Sequence, residues 1–89
     1  MDKKILAKKI AEFCFNYGLL SNKAVGKDLF QNRVESRLGD VAFVEGSIHF
    51  LTTKTKYRED LDFEKLKELL LELERIRLEL EYKDRFPKC

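Results

Sequence analysis

The sequence predicts an α+β fold: two helices, a β-hairpin and a long third helix, in the order ααββα, as one compact domain over residues 1–89. Three observations predict it. Apolar residues recur at helical spacing across 2–17 and 60–85. Residues 41–53, VAFVEGSIHFLTT, are rich in β-branched and aromatic side chains on either side of a glycine, the composition of a hairpin. One proline, four scattered glycines and no linker-like stretch leave no boundary at which to divide the chain.

The first helix, 2–17, opens on Asp2 as N-cap and carries Leu6, Ile10, Phe13, Cys14 and Tyr17 on one stripe. Gly18 supplies the left-handed stop. Ile5 and Phe15 fall off the stripe and either meet a second surface or sit exposed. A second helix, 22–38, follows Ser21 and ends at Gly39. Phe30, Val34 and Leu38 form one strip on it, and Val25 and Leu29 form another.

In the hairpin, a turn at Glu45-Gly46 or Gly46-Ser47 pairs Val41 with Phe50 and Phe43 with Ile48. The opposite face carries Ala42, Val44, His49 and Leu51, so both faces are largely apolar. The third helix, 60–85, begins at Asp60 or Asp62 within an acidic run that suits the positive end of a helix dipole. Leu66, Leu69, Leu73, Ile76 and Leu80, flanked by Phe63 and Leu70, make its core face. Leu71, Leu78 and Tyr82 make a second strip well around the helix.

Composition bounds the function. Lys and Arg number 18, Asp and Glu 16, for a net charge of +2, which excludes a polyanion-seeking tail on bulk charge. The balance is uneven along the chain. Residues 1–58 hold 11 basic and 6 acidic side chains, and 59–89 hold 7 and 10. No run approaches the roughly 20 apolar residues that span a bilayer. Two cysteines, Cys14 and Cys89, make no disulfide framework, and Lys8, Lys9 and Glu12 interrupt any signal-like apolar run. A cytoplasmic protein with free thiols is expected, with no membrane partner.

No catalytic, cofactor or metal signature emerges. His49 is the single histidine and no nucleophile or orienting carboxylate stands at a recognised spacing from it. Zinc needs about four ligands in paired spacing, and the dispersed glycines form no phosphate cradle. The expectation is a non-enzyme without metal or cofactor.

Two readings follow. The first is a small protein–protein interaction or regulatory module, homodimeric or bound to another protein. The surplus apolar residues carry it, with Leu71, Leu78, Tyr82, Val44, Leu51 and Phe15 at the interface. The second is a nucleic-acid-binding regulator. Arg33 and Arg37 stand one turn apart, and Lys54, Lys56 and Arg58 alternate along TTKTKYR. All five gather into one basic patch if the second helix lies beside the second strand. In element order alone the chain resembles winged-helix proteins that dimerise through a C-terminal helix. The resemblance implies a nucleic-acid-binding regulator, with contact expected through the basic N-terminal half and the TTKTKYR segment.

Overall fold

The computed structural model describes residues 1–20 and 26–85. Among them the chain forms four helices and no strand: α1 Lys3–Asn16, α2 Lys27–Arg37, α3 Val41–Thr55 and α4 Phe63–Arg85. The fold is therefore all-α, and the expected α+β class is corrected. The hairpin over 41–53 is a helix, and with it goes the likeness in element order to winged-helix proteins.

Both periodicities fit the residues of α3, and the helical one wins. On a helical wheel Val44, Ile48, Leu51 and Thr55 share one stripe, with Phe43, Ser47 and Phe50 beside it. These are buried or half-buried, whereas Ala42, Glu45, Gly46, His49, Thr52 and Thr53 are exposed on the other side. Strand pairing needs a partner edge; a helix satisfies its own backbone and needs only one apolar surface to lie on. Asp40 caps the helix, its carboxylate accepting from the Ala42 N–H at 3.0 Å. The hydroxyls are absorbed in the same way. Ser47 Oγ donates to the Phe43 carbonyl at 2.8 Å, Thr52 Oγ1 to that of Ile48 at 2.7 Å and Thr55 Oγ1 to that of Leu51 at 2.6 Å. Thr55, the one buried polar residue among those described, is thereby satisfied.

The other elements follow their local signals. Asp2 caps α1 by accepting from the Lys4 N–H at 3.2 Å. Gly18 takes the left-handed backbone at φ +59°, and the Leu19 N–H reaches back to the Cys14 carbonyl at 2.9 Å. Asp62 accepts from the Lys65 N–H at 3.2 Å in the first turn of α4. The expected Ser21 cap and Val25 lie outside the described residues, as does Cys89.

Helix α2 packs on α1, α3 packs on α4, and α1 packs on α4. All four helices feed one core, joined by Leu19 and Leu61 from the connecting segments. Ala7 and Ala11 are completely buried on α1, where side chains ending at Cβ let a neighbouring helix come close. The core face expected on α4 is buried at Leu66, Leu69, Leu73 and Ile76, with Leu80 partly covered. Phe63, expected to flank it, is instead half exposed. Helix α4 runs about 35 Å at 1.5 Å per residue, most of the 46 Å long axis of the molecule.

Two substitutions test this architecture. Gly46 sits in mid-helix, exposed, with nothing within 4 Å of where a Cβ would stand. Gly46→Ala should raise stability by about 1 kcal/mol in a urea melt; a hairpin turn at this position would instead be harmed. Leu73 is completely buried, so Leu73→Ala should cost about 2–5 kcal/mol, and a loss well under 1 kcal/mol would place the wrong face of α4 inward.

Candidate functional site

The residues of α4 separate into two apolar faces. Leu66, Leu69, Leu73 and Ile76 point inward, and Leu71 and Leu78 lie about 120–180° around the helix from them. The sequence therefore builds a helix that is apolar on nearly opposite sides. Leu71 is 60% exposed, Leu78 54% and Tyr82 64%. Charged flanks divide the two faces, and most are tied to each other. Arg75 donates to Glu72 at 3.3 Å and to Glu79 at 2.8 Å; Arg77 bonds Glu74 and donates to Glu81 at 2.9 Å. These ion pairs hold Glu74 below its ordinary carboxylate range, chiefly through the hydrogen bond from Arg77. Among the described residues Lys67, on the margin of the outer strip, has no ion-pair partner.

At the N-terminal end of the strip the surface dips into a hollow of about 470 Å³ between α3 and α4. Ile48, Phe63, Leu66, Leu70 and Leu71 wall it, with only Thr52, Lys67 and Glu74 contributing polar groups. Phe63, 53% exposed, extends the apolar surface to the start of α4. Sequence reasoning placed Phe63 with Leu70, one heptad on, at the flank of the core face; the structure leaves Phe63 half exposed.

Three residues expected at the interface are not there. Val44 and Leu51 are completely buried in the core, because the segment is a helix with a single inward stripe. Phe15 is half-buried, its ring 5.9 Å from that of Phe30 on α2. It thus meets a second surface, and the chain itself supplies it.

The strand that was to bring the five basic residues into one patch is absent among the described residues. Arg33 and Arg37 lie on α2, which packs on α1, whereas Lys54 belongs to α3, which packs on α4. Lys54 and Lys56 turn toward aromatic rings of their own segment, Phe50 and Tyr57. Arg58 is engaged in structure. Its guanidinium clasps Asp60 at 3.0 and 2.6 Å and donates to the Tyr17 carbonyl at 2.5 Å. The Tyr17 hydroxyl in turn accepts from the Asp62 N–H at 2.9 Å. This clasp ties the end of α1 to the α3–α4 connection.

The reactive side chains are similarly occupied. Cys14 lies in the core, and burial pushes its thiol up to about 12, so it stays protonated and unreactive. His49 is exposed, 3.5 Å from the Thr53 hydroxyl one turn away. A second cleft, about 380 Å³ between α1 and α4, is spanned by the Lys9–Glu68 ion pair at 2.6 Å. Among the described residues no group of His, Cys, Asp and Glu is placed to hold a metal ion, and no helix is long and apolar enough to cross a membrane. No family model, curated protein or solved structure matches the chain.

The clasp has a pH signature. The hydrogen bond from Arg58 holds the Asp60 carboxyl below its ordinary value of 3.8. A depressed carboxylate contributes stability above the unfolded value and loses it as pH falls through the folded one. Asp60→Asn should therefore be less stable than wild type near neutrality and lose less on acidification from about pH 5 to about pH 2. Identical acid slopes in thermal melts would show that the pair contributes nothing.

Proposed function

We propose that the protein is a non-enzymatic protein–protein interaction module that docks an amphipathic helix along the outer face of α4. The observation that carries this reading is the pair Leu71 and Leu78, each more than half exposed, one heptad apart, on the side of α4 turned away from the core. Leucines seven residues apart present the seam a second helix packs against, knobs into holes. Fully covering an exposed leucine is worth about 1.5–3 kcal/mol, and with Leu71 60% and Leu78 54% exposed roughly half of that is left unused at each. The hollow beside Leu71 gives the seam depth, and the charged flanks give it edges. The occupation of the reactive groups supports the non-enzymatic part: Cys14 is buried and protonated, and the α4 carboxylates most favourably placed to act together are held in arginine ion pairs.

Changing Leu71 and Leu78 together to Lys tests it. Both side chains are exposed, so the double variant should keep its helical circular dichroism and melt close to wild type. It should lose association, read as self-association by sedimentation and as retention of a helical partner in co-purification. Wild-type protein that neither self-associates nor retains anything that the variant releases overturns the reading.

A further inference from the structure

The arginines of the chain divide into two groups. Arg58, Arg75 and Arg77 are held by carboxylates. Arg33 and Arg37 have no ion-pair partner among the described residues, and both are exposed on α2. Lys4 and Lys8, exposed on α1, have none either. We infer that these four cations line the seam between α1 and α2 and bind the backbone of a single-stranded nucleic acid there. The inference concerns a different surface from the outer face of α4 and goes beyond the docking role given to that face.

Helical arithmetic and two contacts bring the four together. At about 100° per residue, Lys4, Lys8 and Phe15 fall within about 40° of one another on α1, and Phe30, Arg33 and Arg37 within about 60° on α2. The Phe15 and Phe30 rings meet at 5.9 Å, so the two arcs border the same edge of the helix pair. Lys3 Nζ lies 3.9 Å from where a Cβ on Gly39 would stand, which sets the start of α1 beside the end of α2. The helices are thus antiparallel, and Lys8 falls opposite the last turn of α2, where Arg37 stands. Each helix contributes two cations one turn apart, about 6 Å along its axis. The half-buried aromatic pair closes one end of the double row.

The nearest carboxylates are engaged or turned away. Asp2 and Asp40, at the other end of the seam, accept the Lys4 and Ala42 N–H groups as helix caps. Asp28 and Glu35 lie about 140–180° around α2 from the two arginines. Glu12 is turned about 40° from Lys8 toward α4, whose cleft it lines.

Phosphodiesters suit such a row. Guanidinium forks take phosphate oxygens in pairs, and lysines add point charge. The aromatic pair discriminates among anions. An unpaired base stacks on a phenyl ring, whereas an acidic peptide or an anionic lipid surface has nothing flat to lay there. A single strand can use cations and rings together; in a duplex the bases are already stacked on one another.

The test is fluorescence anisotropy with the full chain and a labelled oligothymidylate of about 12 nucleotides. Affinity should fall with salt at a log–log slope of about −3, from about 0.7 for each of four phosphate contacts. Arg33→Gln with Arg37→Gln should weaken binding about tenfold and flatten the slope by about 1.4. Lys4→Gln with Lys8→Gln, on the other helix, should repeat that loss. Lys54→Gln with Lys56→Gln removes the same charge elsewhere and should change neither quantity. Phe30→Leu keeps an apolar contact with Phe15 and should weaken binding about fivefold with the slope kept. The substituted cations are exposed, so these variants should keep the helical circular dichroism of wild type. An oligothymidylate that does not bind in about 50 mM salt, or that the Lys54 and Lys56 variant releases as readily as the Arg33 and Arg37 variant, overturns the seam as the site. Wild-type binding by Phe30→Leu, or tighter retention of polyglutamate or of phosphatidylserine vesicles, overturns a single-stranded nucleic acid as its occupant.

Discussion

The inner face of α1 holds the molecule together. Helix α2 lies on it from one direction and α4 from another, and α3 reaches the core by way of α4. Such a shared face works only if it is apolar over a wide arc and nowhere bulky enough to hold its neighbours apart. Leu6, Ile10 and Phe13 supply the apolar mass; Ala7, Ala11 and Cys14 supply the close approach. Where α1 ends, Gly18 turns the chain. There the Tyr17 carbonyl and hydroxyl are taken up by Arg58 and the Asp62 N–H, 41 and 45 residues away in sequence. A polar clasp at the rim and a dry face within fix the same pair of elements from two sides.

Given that frame, α4 is left with a face that none of the described elements covers. Its inward stripe is used by α1 and α3, and its flanks are locked by arginines reaching one turn up and one turn down the same helix. Those short-range pairs do more than solubilise the helix. They hold the flanking charges close to the axis of α4 and leave the leucine line open between them, so that the edges of the apolar strip are as well defined as its centre.

How much of this was legible in the sequence depended on whether one periodicity or two fitted the residues. On α1 and α4 only the helical beat fits, and the caps at Asp2 and Asp62, the stop at Gly18 and the outer line of Leu71, Leu78 and Tyr82 could all be read directly. On 41–53 both beats fit. Val41, Phe43, Ile48 and Phe50 alternate as a strand would, and Val44, Ile48, Leu51 and Thr55 recur as a helix would. Residue preference favoured the strand, and the decision was made by a surface elsewhere, the inward stripe of α4, which no local window contains. The misplacement of Val44 and Leu51 on an interface followed from that single choice. Arg58 was misread for a different reason. A cation in a run of cations looks available until the distant carbonyl it donates to is known.

The hydroxyl groups folded back onto the backbone of α3 carry a consequence for the life of the chain before it reaches its native state. Detached from α4, the segment VAFVEGSIHFLTT has no helical surface to lie on. Its composition, with many branched and aromatic side chains, low charge and no proline, is that of stretches that stack into cross-β assemblies. The helix therefore serves as storage: it keeps an aggregation-prone stretch in the one conformation whose backbone offers no edge to another molecule. What guards it in the folded state is its packing on α4. The Lys54-Thr55-Lys56 sequence at its end places two positive charges just beyond the apolar run, where like charges repel stacked copies.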